Sequence, residues 1–159
     1  MRKAKAAVLS VAVVQRDSVS IVAAPGAQPT VRGGPGTSGR DVIGVYGDTR
    51  LELQGLAIEN PKKGFAVCCD KKGRAELSGC TLTSPEGFGL WVSGGATATM
   101  DGGSISGCGE HGVYCGDPGS TATVRPPAAA PSAAPPCPLR AAGAAAFFSP
   151  ASPFFAAVF

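Results

Sequence analysis

A chain of 159 residues with 23 glycines and 14 prolines has room for one modest domain rich in turns, which excludes helical bundles and other architectures that need long helices. Fourteen Lys and Arg against 11 Asp and Glu leave a formal charge of +3, and 6% of residues are aromatic, so the bulk composition gives no reason to expect nucleic acid as a partner. The charge is uneven, however: Lys62, Lys63, Lys71, Lys72 and Arg74 lie close together, and no charged residue follows Arg140.

The chain opens on "MRKAKAAVLSVAVVQ" (1–15). A basic lead before a short apolar run has the outline of a secretion signal, but no small-residue cleavage site precedes "QRDSVS". "VLSVAVV" reads equally as a first strand. The six cysteines, at 68, 69, 80, 108, 115 and 137, have spacings that define no disulfide framework, so reduced, packed thiols are expected. That favours an intracellular compartment, with secretion as the alternative.

The middle of the chain repeats itself. Aligning "RLELQGLAIEN" (50–60), "RAELSGCTLTS" (74–84) and "TATMDGGSISG" (97–107) puts Leu53, Leu77 and Met100 in one column and Ile58, Leu82 and Ile105 in another, with Gly55, Gly79 and Gly102 between them. A second half-repeat follows each: "FAVCCD" from 65, "FGLWVS" from 88 and "HGVYCG" from 111. These align Val67 with Leu90 and Val113, and Cys69 with Val92 and Cys115. Short alternating segments of this kind cannot bury their apolar faces alone. Stacked at about 4.8 Å, coil upon coil, their inward columns form one continuous core. A β-solenoid is therefore expected, since a sandwich or small barrel has no reason to repeat its inward and outward identities at a fixed interval.

"GLWVSGGATATMDGGSI" (89–105) and "GVYCGDPGSTATV" (112–124) resemble right-handed parallel β-helix repeats of the pectin-lyase-like superfamily, and are most similar to the non-catalytic repeats attached to some F-box proteins. The resemblance implies an all-β, right-handed parallel β-helix of about four coils over residues 42–124. "SVSIVAAPGAQPTVRGG" (18–34) is similar to an irregular earlier coil, so residues 1–41 are expected to supply an N-terminal strand and irregular first coil. After "TATV" (121–124) comes "RPPAAAPSAAPPCPLR", whose paired prolines remove ladder donors and stop regular coiling. Residues 125–159 are thus expected to form a low-complexity tail, disordered or only loosely docked; an altered reading frame would look the same. Pro150, Pro153 and several small residues interrupt the final apolar run, so no membrane contact is expected. Solenoid ends expose pairing edges, which makes end-to-end self-association a further expectation.

Two groups of residues are candidates for ligand binding. Tyr46, Cys68, Trp91 and Tyr114 are spaced 22, 23 and 23 residues apart and are predicted to share an outward column. There the aromatic rings can stack on one another or offer flat faces to a sugar or protein. Aromatic residues also favour strands for reasons unrelated to binding. Lys71, Lys72 and Arg74 form the core of the basic group, which can meet an anionic ligand or simply blunt a sheet edge.

"CGEHGVYC" (108–115) gathers Cys108, Glu110, His111 and Cys115, but the spacing is not a paired-cysteine zinc pattern, and alternation turns Cys115 into the core. Superfamily enzymes act on acidic polysaccharides with clustered acids or a basic residue, yet no Asp-Asp pair occurs here and the resemblance carries no catalytic residue onto this chain. Thus neither metal nor cofactor is expected. The sequence reads as a non-enzymatic recognition or scaffold module that contacts protein or carbohydrate. The alternative is an incomplete or degenerate polysaccharide lyase, hydrolase or epimerase.

Overall fold

The computed structural model describes residues 12–14, 18–34, 41–126 and 139–142, and all of its regular structure is strand. The chain enters through β1 (Ala12–Val14), β2 (Ser18–Val22) and β3 (Thr30–Arg32). Three full coils follow: β4 (Asp41–Tyr46), β5 (Arg50–Gln54) and β6 (Ala57–Glu59); β7 (Phe65–Asp70), β8 (Arg74–Ser78) and β9 (Thr81–Thr83); β10 (Phe88–Val92), β11 (Thr97–Asp101) and β12 (Ser104–Ser106). It ends with β13 (Val113–Gly116), β14 (Thr121–Arg125) and β15 (Leu139–Ala142).

Strands that occupy the same place in successive coils pair in parallel. The first sheet runs β1-β4-β7-β10-β13-β15, the second β14-β11-β8-β5-β2 and the third β12-β9-β6-β3. This is a parallel β-helix with three faces. Residues 18–34 form a coil whose strands pair in register, Val19 on Leu51, Ile21 on Leu53 and Val31 on Ile58.

The core is built from columns, as the repeat predicts. Val67, Leu90 and Val113 are partners, as are Cys69, Val92 and Cys115. Leu53, Leu77 and Met100 stack in the second sheet, and Ile58, Leu82 and Ile105 in the third. All of these except Ile105 are buried, Leu90 and Val92 completely. Gly55, Gly79 and Gly102 turn the chain from the second sheet to the third with φ of 68°, 59° and 70°, a left-handed conformation that a Cβ disfavours. Their recurrence follows from the need to turn the same corner in every coil.

The tail contributes one described strand to the first sheet. β15 continues the ladder beyond β13, with Leu139 on Val113 and Arg140 on Tyr114, so these four residues of the segment expected to be disordered or loosely docked lie against the helix. The rest of that expectation, at 127–138 and 143–159, lies outside the described residues. Among the described residues the third sheet ends at β12, where proline follows β14 in place of another turn. No helix of the described residues is long and apolar enough to cross a membrane.

Two kinds of substitution separate packing from backbone strain. Leu90→Ala should lower unfolding free energy by about 2 to 5 kcal/mol in urea titrations, through lost burial and a cavity. Gly79→Ala meets open space and bears only the strain of its φ of +59°, about 1 to 2 kcal/mol. Gly103→Ala would place a Cβ 1.9 Å from the Cys80 carbonyl oxygen and should be much the more damaging of the two. Equal urea midpoints for the two alanine variants would show that contact between coils is not limiting.

Candidate functional site

The outer face of the first sheet holds most of the described aromatic side chains. Strict alternation breaks at Val42, Ala66 and Gly89, which are buried next to Ile43, Val67 and Leu90. Two consecutive residues therefore turn inward, and the residue before each pair lies on the outside. Three outward rows result from the register: Asp41, Phe65, Phe88 and His111; Gly44, Cys68, Trp91 and Tyr114; Tyr46, Asp70, Ser93 and Gly116.

Tyr46 does not share the column of Cys68, contrary to the spacing-based expectation. Its partner is Asp70, and Gly44 is the partner of Cys68. The step from β4 to β7 is 24 residues, as from Ile43 to Val67, and the 22-residue spacing from Tyr46 to Cys68 misses it by one inward-outward pair. The ring nevertheless leans back over Gly44, where a Cβ would lie 2.5 Å from Tyr46 Cε2. The absence of a side chain at Gly44 makes that space available. Tyr46 Oη then donates a hydrogen bond to Asp41 Oδ2.

Trp91 and Tyr114 are neighbours and stack with centroids 3.9 Å apart and planes 16° from parallel. On the other side Phe65 reaches across from the adjacent row, 4.8 Å from Trp91 and tilted by 37°. It fills the gap that Cys68 leaves in the ladder. Phe88 meets Trp91 edge-on at 5.0 Å and 86°, and His111 lies 5.6 Å from Phe88. Each such aromatic pair contributes about 0.5 to 1.5 kcal/mol beyond burial. All five rings are half-buried.

The polar handle of the cluster is used internally. Trp91 Nε1 donates to Ser93 Oγ at 2.9 Å, Ser93 Oγ donates to Asp70 Oδ1 at 3.0 Å, and the Lys71 amide donates to the same oxygen at 2.8 Å. His111 differs: its Nδ1 is buried without a hydrogen-bond partner. Strict alternation does not place Phe65, Phe88, His111 and Asp41 on this face. The recurrence of Phe at 65 and 88 was the available signal, and the double inward turn concealed its meaning.

The basic candidates fall into two places. Lys62 and Lys63 precede β7, whereas Lys71, Lys72 and Arg74 follow it, and six extended residues separate the groups by about 20 Å. Lys71 and Lys72 adopt φ of 54° and 68°, where the next coil has Gly94 and Gly95. Lys72 and Arg74 line a shallow groove with Arg50; Lys71 lies outside it.

The buried thiols in this region are held towards their protonated form. Burial, followed by the negative charge of Asp41, pushes Cys68 up to about 12, and burial with the charge of Asp70 does the same to Cys69. Burial also raises Cys80 and Cys115. The Tyr46 phenol is raised by burial and by its bond to Asp41, so it holds its proton. Cys115 stays in a core column, and among the described residues no three His, Cys, Asp or Glu side chains gather as a metal site.

Residues 36–125 match the family described as "Right handed beta helix region". Neither the curated proteins nor the solved structures yield a match.

The buried thiols have a measurable signature. Iodoacetamide at about pH 8 should leave Cys68, Cys69, Cys80 and Cys115 unmodified in the folded protein and label them in urea, read by mass spectrometry. Folded Cys68 and Cys69 keep protons that the unfolded chain releases above the ordinary thiol value of 9.0. More protons are then bound in the native state, so stability should be level below that pH and fall as pH rises towards 12. Urea midpoints across this alkaline range check the sign, and Cys68→Ala should flatten the decline.

Proposed function

We propose that the chain, which belongs to the right-handed β-helix family, acts as a non-enzymatic recognition module that binds a protein through the outer face of its first sheet. The observation that carries this reading is the contiguous patch of Phe65, Phe88, Trp91, His111 and Tyr114, held together by ring contacts yet half-buried rather than sealed. Large rigid rings with few torsions suit a protein interface, because little side-chain freedom is lost on docking.

The orientation of the rings favours protein over carbohydrate as the partner. A sugar ring packs best on an open aromatic face, but Trp91 has Tyr114 against one face and Phe65 tilted against the other. Its indole N–H is also committed to Ser93. What remains outward is a ridge of ring edges, which complements a partner's aliphatic side chains and carbonyl groups better than a flat pyranose. The resemblance of the repeats to those attached to F-box proteins agrees with a protein-contacting role.

Trp91 is the only tryptophan, so its emission reports on this face alone. Proteins captured from a cell extract by the intact chain should be lost at least tenfold with Tyr114→Ala and Trp91→Phe, and retained by Thr99→Ala on the second sheet. Purified candidates should then shift Trp91 emission saturably. Capture that is indifferent to both ring variants, or an emission response to acidic oligosaccharides instead of to any protein, would sink the proposal in favour of a degenerate polysaccharide-acting enzyme.

A further inference from the structure

The corner between the first and second sheets carries a groove lined in part by Asp48, Arg50, Lys72, Arg74, Gly94 and Thr97. Three cations thus stand against one carboxylate. The ladder places Arg74 directly beside Arg50 on neighbouring rungs, about 4.8 Å apart, where like charges repel. Glu52 and Glu76 are stacked in the same way two residues further on.

Among the described residues, only one of the two arginines is neutralised. Arg50 pairs with Glu52 at 3.0 Å and with Glu76 at 2.9 Å, which occupies both carboxylates. Among the described residues, neither Arg74 nor Lys72 forms a salt bridge. The next rung beside Arg74 is the neutral Thr97. Lys72 is held at the groove by its backbone, with φ of 68° and its N–H donated to the Gly94 carbonyl at 3.0 Å. Gly95 follows on the adjoining coil, where a Cβ would come within 3.9 Å of Lys72 Cγ, so the lack of a side chain there leaves room beside this cation. Asp117, the nearest acid from the last turn, accepts a hydrogen bond from the Gly94 amide at 3.2 Å.

The geometry points to a binding site for a single phosphomonoester dianion, held between the Lys72 ammonium and the Arg74 guanidinium, with the Thr97 hydroxyl beside them. A doubly charged tetrahedral group offers several acceptor oxygens to both cations and relieves the repulsion between Arg74 and Arg50. A polyanion fits less well. A nucleic acid or sulfated glycan lying along the sheet would carry further charges onto Asp48, Glu52 and Glu76. Acids on the flanks therefore select for one anionic group, whether a free phosphate or a phosphorylated side chain. The groove is lined by none of the aromatic side chains, so the two readings are tested on different residues.

The test is an NMR titration of the full chain at constant ionic strength and at a pH where the monoester is doubly ionised. The probes are inorganic phosphate, a phosphoserine peptide and, as a polyanion, a heparin oligosaccharide. Saturable shifts are expected at the Arg74 Nε–H and at the Thr97 and Gly94 amides. Affinity should fall at least tenfold in Arg74→Gln and in Lys72→Gln, recover in part in Arg74→Lys, and stay unchanged in Lys62→Gln/Lys63→Gln. Spectra of each variant that keep the dispersion of the intact chain show that folding is retained. Tighter binding of the peptide than of free phosphate identifies a phosphorylated side chain as the source, and the reverse identifies the free ion. Shifts that never saturate, that survive Arg74→Gln, or that are strongest with heparin and depend on Lys62 and Lys63 would overturn the site.

Discussion

Parallel hydrogen bonding between successive coils is the constraint on which the rest of this molecule depends. Each strand must present its amides and carbonyls to the coil above and the coil below at about 4.8 Å, which fixes the residue that lies beside every other residue. Inside the helix this rule is favourable throughout. Apolar side chains stacked on apolar side chains form columns such as Leu53, Leu77 and Met100, and no one coil buries its own apolar face. Stability consequently belongs to contacts between neighbours.

Outside the helix the same rule has mixed consequences. Aromatic residues in adjacent rungs gain from being brought together, as with Trp91 on Tyr114. Arginine on arginine and glutamate on glutamate lose, unless a diagonal ion pair intervenes as Arg50 does with Glu76. Because these charges are about half exposed, with side-chain accessibilities of 49% and 51%, the pair contributes little to stability. Its effect is on which cations remain available. The chain thus carries a ladder of rings on one face and an unbalanced pair of cations at a corner, both imposed by one spacing.

Most of the architecture was legible because a fixed interval constrains every coil at once. Leu77 or Leu90 alone says little, but their columns define inward positions, and the structure places both as the interval requires. The candidate face was less legible. Strict alternation sends Phe65 and Phe88 inward with Val67 and Leu90, whereas burial of Ala66 and Gly89 reverses them. That reversal depends on the space inside the coil: at Gly89 a Cβ would lie 2.5 Å from Ile105 Cγ2 and 2.6 Å from the Gly112 carbonyl oxygen. Nothing in a period-two pattern reports this crowding. Tyr46 was misplaced by the interval itself, because the step from β4 to β7 is 24 residues rather than 22, although its ring leans back over Gly44 into the row of Cys68. The strand β15 was hidden by composition, since Ala and Pro outweigh the four residues that rejoin the ladder.

The aromatic face and the basic corner are joined by a short polar chain that explains an otherwise costly turn. Lys71 and Lys72 occupy left-handed conformations that disfavour any residue with a Cβ by about 1 to 2 kcal/mol each, and the following coil meets the same corner with two glycines. Asp70 offsets part of that strain by accepting the Lys71 amide, and Ser93 holds Asp70 in place while receiving the Trp91 N–H. The indole therefore anchors the carboxylate that shapes the turn, and the turn fixes the backbone from which the Lys72 side chain projects. In this helix a ring on one face and a cation at the next corner are positioned by the same three hydrogen bonds.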